Sequence, residues 1–153
     1  MDRHELEPTR LRALVSEIAT RATVAVGLAG IALIHLLDSI GKWSETRYLF
    51  WMYVALMVAS VATAGWVLFT RSRTALLAAA AVAASALVGY VLSRSVGLPN
   101  ATDDIGNWTE PLGLASLFVE GAVVAVALAG HRVTAAVPRP LRLVTNRELA
   151  SAA

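Results

Sequence analysis

Four apolar runs, at about 22–40, 48–70, 74–95 and 111–130, divide this sequence, and each has the length that crosses a bilayer. A helix rises about 1.5 Å per residue, so about 20 apolar residues match a hydrocarbon core of about 30 Å. In 153 residues, four such runs leave room for one domain and little else. The pattern predicts an all-α fold, an integral membrane four-helix bundle. Composition agrees, with 57% apolar residues against an average of about 45–50% in soluble domains. Charged residues are only 16% and lie mostly between and outside the runs, with Asp38, Arg94 and Glu120 as exceptions inside them.

The flanks of the runs carry the topology signal. With the N-terminus inside, ten basic residues fall on the inner side: Arg3, Arg10, Arg12, Arg21, Arg71, Arg73, Arg132, Arg139, Arg142 and Arg147. Only three, Lys42, Arg47 and Arg94, fall on the outer side. Basic residues favour the cytoplasmic side, so both termini are expected in the cytoplasm and the protein in a bacterial plasma membrane. The bacterial assignment follows from abundant Ala and from Arg supplying twelve of the thirteen basic residues.

Residues 1–21 form the expected cytoplasmic N-terminal segment. Leu11, Leu14, Val15 and Ile18 recur at helical spacing with Arg10, Arg12, Glu17 and Arg21 on the remaining surface. Over about 8–21 this predicts either an amphipathic helix lying on the membrane surface or a polar extension of the first span. In the spans, Gly27 and Gly30 offer close helix approach, as does the Ala-rich stretch from Ala78 to Ala86. Residues 131–153 form a cytoplasmic tail, with a capping-box pattern at Thr145–Glu148.

The connection at 96–110 is longer than a bundle turn requires. Gly97, Leu98 and Pro99 read as a helix stop and turn, and Asp103, Asp104 and Gly106 as a second turn. Trp108 reads as an interfacial anchor and Glu110 as an anion at the N-terminal end of the fourth helix. This structured outer loop is expected to be either a well-packed lid with ordinary helix caps or a cap over a pocket at His35 and Glu120, and its length favours the second.

Those residues can be ranked by depth. Asp38 and Arg94 lie just inside the outer interface; His35, Tyr53 and Tyr90 are roughly 7 Å below it, and Glu120 roughly 13 Å. His35 and Asp38 share a helix face, as do Gly113, Ser116, Glu120 and Val124. An ionisable group at the depth of Glu120 costs on the order of 2.5–3.5 kcal/mol on insertion scales, so it faces the interior and is paired or protonated. It serves either a ligand or proton site or a hydrogen bond joining two helices. His35 is a partner for Glu120 in such a site or a satisfied core histidine. Arg94 is expected to snorkel to the headgroups, with pairing to Asp38, Asp103 or Asp104, or binding an anion, as the alternative.

Other chemistries find no footing. Cysteine is absent, which removes thiolate metal sites and thiol redox catalysis. His35, Asp38 and Glu120 follow no recognised metal-ligand spacing, so no metal site is expected. His4 and His131 stand at the wrong depth to join His35 on a haem, and no cofactor is expected. A net charge of +2 with no basic stripe gives no footing for nucleic acid. No phosphate loop or nucleophile elbow occurs.

His35, Trp43-Ser44-Glu45, Arg47-Tyr48, Ser93-Arg94, Gly97-Leu98-Pro99 and Trp108 to Gly113 together resemble a group of small four-span membrane proteins from actinobacteria. The resemblance covers about 25–130 and implies architecture and source, with no activity attached. In size alone the chain is similar to DoxX-like membrane proteins, without their diagnostic residues.

Three functional expectations follow. The first is a protein that binds a small molecule, lipid or proton in an outward-facing polar pocket built from His35, Asp38, Tyr53, Tyr90, Arg94 and Glu120. The second is an accessory or structural subunit of a membrane complex, or a homo-oligomer, using Asp103, Asp104, Trp108 and Glu110 of the outer loop. The third is a membrane enzyme acting on quinone or lipid; it has the least footing, because no nucleophile–base set can be read.

Overall fold

A computed structural model of the chain describes residues 3–136, with side chains at 11–40 and 42–133. The tail at 137–153, with the expected capping box at Thr145–Glu148, lies outside the described residues, as does the His4 side chain. Four helices account for nearly all of the described chain: α1 (Arg3–Glu45), α2 (Arg47–Phe69), α3 (Arg73–Ser95) and α4 (Pro111–Ala136). Leu11–Ile40, Arg47–Phe69, Arg73–Ser95 and Pro111–Val133 are each long and apolar enough to cross a membrane. Four such helices suit a multi-pass membrane protein.

α1 passes from the polar N-terminal segment into the first span without a break, as one helix of 43 residues. The extension therefore continues the span end-on. Gly41 does not stop it either, and Thr46, with extended backbone angles, is the only residue between α1 and α2. Neighbouring helices run antiparallel. Arg21 reaches Val67 and Thr70 at one end of the α1–α2 pair, and His35 meets Tyr53 toward the other.

The Arg21 contacts explain how α2 ends. Its guanidinium Nη1 donates to the carbonyls of Val67, at 3.2 Å, and Thr70, at 2.7 Å. The last carbonyls of a helix have no intrahelical donor, so a cation from α1 satisfies them and the negative end of the dipole. Glu17 holds the same guanidinium at 3.1 Å.

α1 and α4 meet through small residues. A Cβ added at Gly27 would collide with Val123, and one at Gly30 would touch Val119 at 3.4 Å. On the other side of the crossing, a Cβ at Gly130 would lie 2.6 Å from Thr20. The helices are close because these positions carry no side chain.

The two halves of the bundle differ. In the half away from the loop, Val24, Leu28, Ile31, Val67, Ala75, Leu76, Ala79, Ala80, Ala83, Val123 and Ala127 form a continuous dry core. Alanine at 75, 79 and 83 presents one smooth face of α3 to it. The pairs α1–α2, α3–α4 and α1–α4 pack extensively, whereas α2 and α3 touch least among adjacent helices. In the loop half the core gives way to a cavity.

Candidate functional site: a polar cavity under the loop

The cavity has a volume of about 630 Å³ and is lined by all four helices and the loop. Its floor is the Glu120 carboxyl, which is fully buried. Buried positions on α4 run Gly113, Ser116, Glu120, Val123 and Ala127. Glu120 thus sits where the dry core ends and the cavity begins. Val123, one residue from the expected Val124, carries the apolar continuation of that face.

One oxygen of Glu120 is engaged and the other is not. Ser116 Oγ donates to Oε1 at 2.5 Å, while Oε2 is buried with no hydrogen-bond partner among the described residues. His35 Nε2 stands 3.9 Å from Oε1. On the other side of the ring, Nδ1 lies 3.0 Å from the Ile31 carbonyl. A carbonyl only accepts, so Nδ1 carries the proton, and in the neutral ring Nε2 presents a lone pair to the cavity. The Tyr53 ring meets His35 edge-on at 5.2 Å, and its hydroxyl interacts with Asp38 above.

Arg94 organises the mouth. It is buried, at 9% exposure, and Nη1 pairs with Asp104 at 2.6 Å while Nη2 stands 3.7 Å from Glu110. Its guanidinium also lies over the Tyr90 ring, 5.1 Å from the centroid. The expectation that Arg94 snorkels to headgroups is therefore corrected. Two carboxylates from the folded loop and the Tyr90 ring face on α3 hold it inside, and neither the exposed Asp103 nor Asp38 is its ion-pair partner.

The loop is built to deliver those carboxylates. Gly97, at φ +79°, takes the left-handed position that ends α3, and its N–H returns to the Leu92 carbonyl at 2.9 Å. Pro99 and Asn100, the latter at φ +56°, form the centre of a type II turn closed by Leu98 and Ala101. The Gly106 N–H bonds the Arg94 carbonyl at 2.9 Å, bringing Asp104 back over α3. Glu110 caps α4: its carboxylate accepts from the N–H of Leu112 at 3.0 Å and of Gly113 at 2.6 Å. The α1–α2 corner joins the same loop, with the Tyr48 hydroxyl donating to the Pro99 carbonyl at 2.7 Å.

His35, Asp38, Tyr53, Tyr90, Arg94, Asp104, Glu110 and Glu120 all line the cavity. Asp103 and Trp108 do not; Trp108 stacks edge-on with Tyr90 at 6.1 Å on the outer side of the loop. Lys42 and Ser93, absent from the sequence-derived set, line it as well. Lys42 pairs with Glu45 at 3.0 Å, and that hydrogen bond outweighs partial burial to hold its ammonium above the ordinary lysine range. Among the described residues, no three His, Cys, Asp or Glu side chains converge as a metal-binding group.

The fold and this cavity together define a helical bundle fit to cross a membrane, with a buried acid at the floor of a cavity under the loop. No family model matches the chain, and neither a curated protein nor a solved structure is similar to it.

Proposed function

We propose that this chain is a multi-pass protein of a bacterial plasma membrane, with both termini cytoplasmic, that binds a small molecule, lipid or proton in the cavity beneath its outer loop. The observation that carries the reading is Glu120, a fully buried carboxyl with one oxygen unpartnered and the cavity beside it. A group used only to join two helices needs its hydrogen bonds satisfied by protein, because an unmet buried acceptor costs about 1–3 kcal/mol. A binding site tolerates the vacancy because the ligand fills it. The ten-to-three distribution of basic residues supports the orientation. The resemblance to four-span actinobacterial proteins supports the setting.

The chain contains no cysteine, so a single introduced thiol reports cleanly. Gly89 lines the cavity, and a Cβ placed there meets nothing within 4 Å among the described residues. Gly89→Cys is expected to react with a membrane-impermeant thiol reagent added outside intact cells. Native mass spectrometry of gently extracted protein is expected to show a bound small molecule that Glu120→Gln loses. Labelling only from the cytoplasmic side would overturn the orientation. No labelling from either side, with no bound molecule, would overturn the pocket.

A further inference from the structure

We infer that the ligand is a lipophilic organic cation, its charge held against Glu120 and its apolar body directed toward the seam between α2 and α3. This rests on the binding-pocket reading and narrows it to a chemical class.

The charges lining the cavity set the sign. Four carboxyl side chains, Asp38, Asp104, Glu110 and Glu120, face two basic ones, Lys42 and Arg94, an excess of acidic groups. Both basic groups are already engaged, Lys42 by Glu45 and Arg94 by Asp104 and Glu110. Arg94 Nε at the mouth is buried without a partner among the described residues, but both Nη atoms already face carboxylates, so its charge is balanced there. At the floor, Glu120 Oε2 is a buried acceptor with no partner among the described residues, and His35 Nδ1 faces the Ile31 carbonyl, which leaves Nε2 toward Glu120. A positive or donor-bearing group answers that acceptor. The Tyr53 ring on the cavity wall adds a face toward which a cation is attracted.

The walls set the rest of the class. Ile34, Met52, Leu56, Val82 and Ala86 line the space between the charged mouth and the acid floor. The volume of about 630 Å³ falls inside the range of about 300–1,000 Å³ typical of small-molecule sites. Ala55 and Ala59 on α2 oppose Ser85 and Gly89 on α3 along the cavity. With small side chains on both sides, the least-packed helix pair leaves a slot at the level of the apolar spans. A compact cation with a bulky hydrocarbon body fits this slot, and a strongly hydrated ion does not.

Tetraphenylphosphonium is a suitable probe, with triphenylphosphine oxide as its uncharged counterpart. Binding to purified, detergent-solubilised protein is measured by titration calorimetry. Saturable one-to-one binding of the cation is expected, with the neutral compound at least about tenfold weaker. Glu120→Gln should weaken cation binding by at least about tenfold, as loss of a buried charge partner does. Glu120→Asp should retain binding. Protons compete for the same carboxyl, so affinity should fall on acidification by at most about tenfold per pH unit, the limit for one proton. The groups facing this site are His35, Asp38 and Lys42 from α1, Tyr53 from α2, Tyr90 and Arg94 from α3, and Asp104 and Glu110 from the loop. The profile is repeated in His35→Gln, where a slope must persist if the carboxyl carries it. Equal binding of the two probes, or cation binding unchanged in a well-folded Glu120→Gln protein, would overturn the cation assignment. Failure of the cation to bind while Gly89→Cys is still labelled would overturn it too and leave the pocket standing. Loss of both would remove the pocket itself.

Discussion

Arg94 and Asp104 are joined at 2.6 Å across the junction between α3 and the loop, with the arginine buried and the aspartate at its rim. The pair fixes the loop over the cavity, and Glu110 extends it to the first turn of α4. Arg94→Leu therefore removes the cation from beneath two carboxylates. A buried pair broken on one side costs about 3–5 kcal/mol, reduced here to about 1–3 kcal/mol because Asp104 is partly exposed. The expected result is a lower unfolding temperature in detergent and faster proteolysis within 96–110. Asp104→Asn should do less, since Glu110 still faces the guanidinium. Equal, unchanged cleavage in both variants would contradict the clamp.

The α1–α4 crossing predicts a contrast between glycines. Gly27→Ala forces Val123 aside, and overpacking of this kind costs about 1–3 kcal/mol. Gly65 on α2 has nothing within 4 Å of an added Cβ among the described residues, so Gly65→Ala should be neutral or gain up to about 1 kcal/mol of helix propensity. Thermal unfolding of the two variants measures the difference. Val123→Ala should restore part of what Gly27→Ala loses.

Ser60 is fully buried on α2, and its hydroxyl has no hydrogen-bond partner among the described residues. Removing an unmet polar group from an apolar setting is favourable, by about 1 kcal/mol. Ser60→Ala is expected to raise the unfolding temperature and leave ligand occupancy unchanged. A clear loss of stability would show that the hydroxyl has a partner.

Filling the cavity separates binding from folding. Gly89→Leu places a side chain in open space on the cavity wall and replaces glycine within a helix. Stability should hold or rise slightly, by up to about 1 kcal/mol, while the ligand seen by native mass spectrometry disappears. Retained ligand would place the binding site elsewhere.

Much of the fold is legible in hydropathy. The apolar runs at 48–70 and 74–95 lie within one residue of α2 (Arg47–Phe69) and α3 (Arg73–Ser95), and Pro111 opens α4 as a first-turn proline suits. α1 is not legible in this way, because hydropathy marks where lipid begins and not where a helix begins. Nothing from Leu11 to Arg21 breaks helical hydrogen bonding, so the polar segment and the span are one rod. In the site, depth arithmetic puts His35, Tyr53 and Tyr90 at one level and Glu120 about one helical turn deeper, and all four line the cavity. The burial of Arg94 escapes it. The partners Asp104 and Glu110 reach that arginine only through the left-handed Gly97 and the type II turn at Pro99–Asn100. Arg21 escapes it for a similar reason: its acceptors are carbonyls of a different helix, which leave no mark in side-chain pattern.

The loose contact between α2 and α3, set against the tight α1–α4 crossing at Gly27 and Gly130, gives the bundle the mechanics of a book. The spine is bound where glycines let two backbones touch, and the fore-edge is left free. If the cavity binds a ligand as proposed, the two covers, each a helical hairpin, would admit guests of different girth by turning through a small angle about that spine. Selectivity for size would then reside in how far the covers part, and selectivity for charge in Glu120, the carboxyl printed nearest the gutter.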